Sequence, residues 1–511
     1  MSTLHQRLAA LTDDRLAGMR RGIEKEGLRV LPTGQLALTP HPVALGSALT
    51  HPAITTDYSE SQLELITGVH GGVQPCLDEL TELHQFTHRV LLQQQPGGEL
   101  LWASSMPCPL PPDETIPLGR YGSSNVGRAK SIYRMGLGHR YGRRMQTISG
   151  IHYNWSLPGL SSDEYFALIR NFRRQAFVLL YLFGASPALC PSFVQGRKHA
   201  LQPLGEGGHA LYLPHATSLR MGRLGYQSEA QASLRVSYNG LKGYADSLHE
   251  ALTRPYPAYE AIGVRSLGGD YNQLGTSLLQ IENEFYGTIR PKRTVHSGER
   301  PLHALRERGV EYVEVRLMDL DPFVPVGITA QTMRLLDVFL LHCLLTDSPP
   351  DTPEEIATLK ANQQLTAERG REAGLMLERA GAQVALADWG AEVLAECAPI
   401  ASALDAALGG ELYAQALAAA QATMAQPEAT PSAHVLAELV QQHDSDFTAF
   451  ARSHSQTARD VLLAQPWADT QQQRYLQLAE QSLAEQQRIE EGDTLPFEEW
   501  RERYMAVAEL G

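Results

Sequence analysis

Acidic side chains sit inside short, strand-like apolar segments of this chain, and that pattern constrains its fold more than any other feature. Glu24 and Glu26 stand in GIEKEGLRV, Asp57 and Glu64 in TTDYSESQLELIT, and Glu314 in GVEYVEVRLMDLDPF, two residues before Arg316. His152 stands in TISGIHYNWSLP. Side chains alternate faces along a strand, so Glu24 and Glu26 project together, as do His152 and Asn154, and Tyr312, Glu314 and Arg316. If these strands share a sheet, one face is apolar and the other is a wall of carboxylates. Two unscreened carboxylates about 4 Å apart repel by roughly 4 kcal/mol at an effective dielectric near 20. A wall of them calls for divalent cations, and oxygen-rich sites suit Mg²⁺ or Mn²⁺ with a substrate phosphate completing the shell.

The net charge of −14 over 511 residues argues against a nucleic-acid coat. One stretch runs the other way: Arg120, Arg128, Lys130, Arg134, Arg140, Arg143 and Arg144 follow one another with no acid among them. Such an island either focuses an anionic ligand such as ATP or is a solvated helix face plus a loop. A second basic cluster, IRPKR, carries Arg290, Lys292 and Arg293. No apolar run reaches the roughly 18 residues of a membrane span, and the N-terminal segment has no basic-then-apolar export pattern, so a cytoplasmic protein is expected. The five cysteines are scattered without a C-x-x-C pair, which predicts neither a zinc site built on cysteine nor a disulfide framework. Each reads as a small buried apolar residue.

Periodicity predicts a helix over 4–20, strands with Gly and Pro turns over 22–69, and a helix over 72–94. It predicts a further helix in EYFALIRNFRRQAFVLLYLFGAS that ends near Gly184, a helix over roughly 230–254, and strands over 274–290 and 310–318. Beyond residue 328 the composition turns Ala-, Leu-, Glu- and Gln-rich, with a polar break at QPEATPS, 426–432. The expected organisation is a catalytic α+β domain over 1–330 and a mainly helical region over 331–511, scaffold rather than chemistry, packed on it.

The metal candidates are Glu24, Glu26, Asp57, Glu64, His152 and Glu314. Taken singly, each reads as a surface charge or, for His152, a hydrogen-bonding residue; together they share one pattern. Arg220 and Arg316 are the anion-binding candidates, each otherwise a salt-bridge partner. Gln146, Asn154, Tyr133 and Tyr226 either orient a polar substrate or make ordinary core and turn hydrogen bonds. No P-loop, dinucleotide-binding glycine motif or nucleophile elbow is present.

Nine ordered segments carry a resemblance to a known family: RGIEKEGLRV, LGSALTHPAITTDYSESQLELIT, SSMPCPLP, RYGSSNVGR, MQTISGIHYNWSLP, YLFGASPALC, LPHATSLRMGRLGY, LLQIENEFYGTIRPKR and GVEYVEVRLMDLDPF. From about residue 18 to about 330 the chain resembles the proteobacterial glutamate–cysteine ligases. The loop after Ser156 is shorter and GHRYGRRMQ more basic than that family's pattern. The resemblance implies a glutamine-synthetase-like carboxylate–amine ligase fold, with an antiparallel sheet forming a funnel-shaped active site inside a helical surround. It implies metal ligation by Glu24, Glu26, Asp57, Glu64, His152 and Glu314, two or three Mg²⁺, and contact with glutamate at Glu64. It implies catalytic roles for Arg220 and Arg316, places for Gln146 and Asn154 beside the glutamate, and a cysteine pocket lined by Tyr133 and Tyr226. Lys292 and Arg293 would lie near the nucleotide phosphates. The implied partners are ATP, L-glutamate and L-cysteine, with feedback inhibition by glutathione, and the implied state is a monomer. The rival readings are a ligase with a different amine acceptor and a catalytically dead relative on the same scaffold. A bifunctional glutathione-making enzyme is disfavoured for want of a second ATP-using domain.

Overall fold

Strand β1, Arg20–Val30, is the longest in the protein and the hub of a seven-stranded sheet. Around it lie β2 (Ile54–Thr56), β3 (Gln62–Ile66), β4 (Leu100–Leu101), β5 (Ile151–Ser156), β6 (Ile289–Lys292) and β7 (Tyr312–Met318). The order is β2-β3-β1-β5-β7-β6, with β4 paired to the far end of β1, and every pairing is antiparallel. The computed structural model describes residues 3–94, 97–225, 230–296 and 298–511.

Alternation along the strands divides the sheet as the pattern predicts. Ile23, Leu63, Leu65, Tyr153, Trp155, Val313 and Val315 are fully buried on one face. Helices α1 (Val73–Leu91) and α3 (Ser162–Phe183) pack against the sheet, and α4 (Ala330–Leu345) packs on both. Helix α2 (Asn125–Tyr141) borders the other face. Ser161 starts α3 with a reciprocal cap: its hydroxyl accepts from the Glu164 amide while Glu164 accepts from the Ser161 amide. Further helices are α5 (Pro431–Gln442), α6 (Phe447–Ala464), α7 (Asp469–Gly492) and α8 (Phe497–Tyr504).

The hydrophobic core runs on through residue 330: Phe172 of α3 meets Phe339 of α4 edge-on at 5.8 Å, and Trp389 lies tilted against Phe177 at 4.4 Å. A buried ionic knot joins the same parts. Arg21 of β1 pairs with Asp337 of α4 at 3.0 Å, with side chains 1% and 0% exposed. The Tyr153 hydroxyl donates to Asp337 at 2.8 Å and Tyr413 donates to it at 3.3 Å.

Four sequence expectations need revision. The helix over 4–20 is two short ones, Thr3–Ala9 and Asp13–Ala17, because Thr12 caps the second and β1 begins at Arg20. The helix over 230–254 is confined to Leu241–Thr253 behind a short 3₁₀ turn, Ala230–Ser233; Gly240, at φ 134°, breaks it. The strand over 274–290 survives only as β6. Side chains hold the preceding loop instead: Glu284 accepts from the Gln280 amide at 2.9 Å, and Gln280 donates to the Gly275 carbonyl at 2.6 Å. Within the helical C-terminal region, Met376–Arg379 and Ala382–Ala385 form a hairpin, turned at Ala380 and Gly381, both at positive φ. All five cysteines are buried and free, as their scatter predicts.

Replacing Asp337 by Ala strands a buried guanidinium, so Asp337→Ala should lose about 3–5 kcal/mol in urea unfolding. A loss below about 1 kcal/mol would show that the Arg21–Asp337 knot does not couple sheet and helix.

Candidate active site

Register across the sheet brings the carboxylates together. Glu26 lies directly opposite Glu64, and Glu24 opposite His152. Glu314 lies opposite Asn154 on one side and Arg290 on the other. Arg316 shares the strand face of Glu314 and follows Val315, the partner of Tyr153, which sets it beside His152; the register shifts by a bulge between Val315 and Met318. The Arg316 guanidinium then stands 2.9 Å from Glu314 Oε2 and 3.4 Å from His152 Nδ1.

His152 is the pivot. Its Nδ1 is 3.0 Å from Glu24 Oε2 and its Nε2 is 3.7 Å from Glu26 Oε1. Glu24, His152 and Glu314 offer ligand atoms that all lie within 4.8 Å of one another, and Glu26, Glu64 and His152 do the same. Burial, and then the charge of Arg316, hold the His152 pKa below its ordinary value, against the pull of Glu24 and Glu314, which favours a neutral ring with a lone pair. Five carboxylates, counting Asp57 beside them, and one neutral imidazole form a donor set that fits Mg²⁺ or Mn²⁺.

The two groups of carboxylates differ in charge balance. Burial raises Glu314, but Lys292, Arg316, His152 and Arg290 outweigh it and hold this carboxyl well below the usual range. Lys292 Nζ is 3.1 Å from Glu314 Oε1. Glu24 also ends low, because the His152 hydrogen bond and Lys292 outweigh burial and the repulsion from Glu314. Glu26 is pushed up to about 8, by burial first and by Asp57 next, against the pull of Arg220, Arg316 and the Gly150 amide. Glu64 is raised well above the usual range by burial and by Glu24, Asp57 and Glu26. The Glu26–Glu64 half of the wall is therefore short of positive charge.

A cavity of about 640 Å³ opens on this wall, within the ~300–1,000 Å³ range of small-molecule sites. Glu24, Glu26, Asp57, Glu64, His152, Glu314, Arg316, Lys292, Gln146 and Tyr133 all line it. Gln146 donates to the Tyr286 hydroxyl at 3.0 Å. Asn154 stands behind Glu24, donating to it at 3.0 Å, with its Oδ1 buried and without a hydrogen-bond partner among the described residues. Arg220 is buried below the wall, donates to the Arg316 carbonyl at 2.9 Å, and lines a side cavity of about 60 Å³ shared with Arg316 and Tyr286. Arg293 turns away, toward the Arg308 carbonyl at 2.7 Å and Glu311 at 3.5 Å. Tyr226 lies outside the described residues.

Three further groups of residues line the cavity: Arg290, and Lys130 with Arg134, which the sequence marks only as members of basic clusters, and Ile489, Trp500 and Tyr504, which it does not mark. Arg290 shares a face with Lys292 by strand alternation, a signal that IRPKR contained. Lys130 and Arg134 enter the cavity with Val126, Ala129, Tyr133 and Leu137 at helical spacing, so the basic island is partly cavity wall. Arg128, Arg140, Arg143 and Arg144 are engaged elsewhere, Arg140 with the buried Glu284 at 2.8 Å. Ile489, Trp500 and Tyr504 come from the C-terminal region, which is thus more than scaffold. Trp500 and Tyr504 stack at 5.0 Å, and no local pattern announces their place.

Comparison with known proteins gives the chain's family. The family model described as glutamate-cysteine ligase matches residues 6–366. A glutamate–cysteine ligase of Alcanivorax borkumensis is 47% identical over 530 aligned positions, covering 99% of each chain. One of Azotobacter vinelandii is 49% identical, covering 95% of this chain and 94% of its own. The crystal structure of the Francisella tularensis glutamate–cysteine ligase in complex with AMP superposes with a TM-score of 0.89 at 35% identity, covering 96% of this chain and 97% of that one. A bifunctional glutathione synthetase from Pasteurella multocida shares the fold (TM-score 0.70, 23% identity), with 93% of this chain matched to 58% of that longer one. By the span of the family match, and by identity kept over nearly its whole length, the chain belongs to the glutamate–cysteine ligase family.

Proposed function

We propose that this cavity joins the γ-carboxyl of L-glutamate to the amine of L-cysteine at the expense of ATP, giving γ-glutamylcysteine, the first committed intermediate on the way to glutathione. The observation that carries this reading is the pair of carboxylate groups sharing His152, set among five cationic side chains in one cavity of a glutamate–cysteine ligase chain.

A carboxylate does not acylate an amine in water, so the γ-carboxylate first attacks the terminal phosphorus of ATP and ADP leaves. The cysteine nitrogen then attacks the acyl carbon of the γ-glutamyl phosphate, and phosphate leaves with the release of a proton. Phosphoryl transfer asks the protein for positioning and charge stabilisation. Magnesium, or manganese in its place, would be held by Glu24, His152 and Glu314 and by Glu26, Glu64 and His152, with Asp57 adjoining, and would supply positive charge against the polyphosphate. Arg316, fixed by Glu314, faces the transferring group, and Arg220 fixes the Arg316 backbone from below. Arg290, Lys292, Lys130 and Arg134 attract the polyphosphate, while Trp500 and Tyr504 offer a flat surface suited to a purine. Gln146 and Tyr133 orient the amino-acid substrates. Glutathione, which retains the γ-glutamyl group, competes for the same cavity, and the enzyme works as a cytoplasmic monomer.

The direct test is an ADP-release assay with each substrate omitted in turn. Full turnover should need Mg²⁺, glutamate and an amine together, and cysteine should exceed 2-aminobutyrate by no more than the ~1–3 kcal/mol that one pocket contact is worth. A preference for an unrelated amine would sink the cysteine assignment, and no ADP under any combination would leave only a dead relative.

Arg316→Ala should lower kcat about a hundredfold or more with smaller changes in KM, because its charge is needed most in the transition state. Near-normal kcat would remove Arg316 from the chemistry.

Magnesium binding should depend on pH with a definite sign. Glu26, pushed up to about 8, is protonated below that pH and must lose its proton to bind a cation. Between pH 6 and 8, Mg²⁺ should therefore bind more tightly as pH rises and release protons, as read by calorimetry in two buffers of different ionisation enthalpy. Glu26→Gln should abolish part of that release; an unchanged proton count would place the titrating group elsewhere.

A further inference from the structure

Outside the lining of the ligase cavity, Glu438, His443 and His454 converge. Glu438 lies on α5, His443 just past its end, and His454 on α6. None of the three lines the 640 Å³ cavity, and all lie beyond the residues matched by the family model. Both rings turn Nε2 to the same carboxylate oxygen: His454 Nε2 is 2.8 Å and His443 Nε2 3.3 Å from Glu438 Oε1. The three ligand atoms lie within 4.8 Å of one another.

We propose that this trio is a second metal site, built for a borderline transition ion and filled by Zn²⁺, that clips α5 to α6. Three observations converge on it. The donor set, two imidazole nitrogens and one carboxylate oxygen, is of the kind zinc takes and that Mg²⁺ and Ca²⁺ do not favour. With bonds of ~2.0–2.1 Å, the edge of a zinc tetrahedron is about 3.3 Å, so the two imidazole–carboxylate spacings of 2.8 and 3.3 Å sit at or just below it. The rings are also held in place before any ion arrives. The His454 centroid is 4.6 Å from that of Phe450 and 5.0 Å from that of Phe323, and His443 meets Phe450 edge-on at 5.6 Å.

The side chains remain 21%, 14% and 16% exposed for Glu438, His443 and His454, which leaves an entry path and a fourth position for water. The turn between the helices carries Asp444 and Ser445 at φ 49° and 59°, left-handed backbone that non-glycine residues rarely adopt. It turns His443 back over Glu438, and an ion at the trio would hold that turn closed. The role is structural, since none of the three residues lines the ligase cavity.

The test uses the full-length enzyme stripped by a chelator and dialysed against Zn²⁺ with Mg²⁺ in large excess, so that the oxygen-rich cavity is saturated by the harder ion. The wild type should retain one zinc per chain and melt at a higher temperature with it. Co²⁺ in its place should show the visible absorption of a four-coordinate ion. His454→Ala and Glu438→Gln should each lower zinc affinity by more than about tenfold, while Mg-ATP-dependent ADP release stays unchanged; Glu26→Gln, in the cavity, should still hold one zinc. Glu438→Gln keeps the side-chain shape and serves if His454→Ala fails to fold. No retained zinc in active wild-type enzyme, or zinc held equally by the wild type and Glu438→Gln, overturns the proposal.

Discussion

Repulsion among buried carboxylates is what the rest of this structure must manage. Glu26 and Glu64 face each other across adjacent strands, at a spacing where cross-strand neighbours interact strongly. Without compensation each such pair costs several kcal/mol. The protein's own cations outweigh burial and repulsion on only one side of His152. Lys292, Arg316 and Arg290 surround Glu314 and keep it ionised, whereas Glu26 and Glu64 are left with raised pKa values. That asymmetry is functional in form. A wall neutralised throughout would have no affinity for an external cation, and a wall neutralised nowhere would resist folding.

The opposite face of the same strands explains why the wall can tolerate this load. A slip of one residue in register would send Glu24 and Glu26 into the core and Ile23 out of it. The backing prevents the slip: Ile23, Tyr153 and Val315 are packed under α1, α3 and α4, and the Arg21–Asp337 pair ties the first strand to a helix more than three hundred residues away. Even Lys25, between the two glutamates, is turned inward. Burial alone brings its pKa down to about 7, beside His84 and His88, which are also pushed down by burial. The polar face is affordable because the apolar face leaves the strand one place to lie.

The carboxylate wall was legible because period-two alternation is a local signal, and the strands that carry Glu24, Glu26, Glu64, His152 and Glu314 obey it. The same rule, applied to IRPKR, would have chosen Arg290 over Arg293. Local signals misled where side chains replace the ladder, as Gln280 and Glu284 do before β6. The helical spacing of Lys130 and Arg134 was present in the sequence, but nothing local says which way that face of α2 turns. Trp500 and Tyr504 were illegible for a stronger reason: their place depends on how the tail folds back, a tertiary fact with no periodic trace.

That folding back is itself electrostatic, and it shows how the tail shapes a site made mostly from the other end of the chain. The N-terminus of α2 presents amides at Ser123 and Asn125, where a helix dipole favours negative charge. Glu490, at the end of α7, accepts from the Ser123 amide at 2.8 Å, and Asp493 accepts from that of Asn125. The Asn125 side chain donates to the Leu495 carbonyl at 3.0 Å, and Arg128 lies over the Phe497 ring at 4.3 Å. The tail therefore grips the start of the helix whose second and third turns carry Lys130, Tyr133 and Arg134 into the cavity. A helix anchored at its first turn and packed along its length has little freedom to rotate, so the direction of those three side chains is set by residues more than 350 positions downstream. The C-terminal region is in this sense part of the active site, through the helix it holds as much as through the rings it contributes.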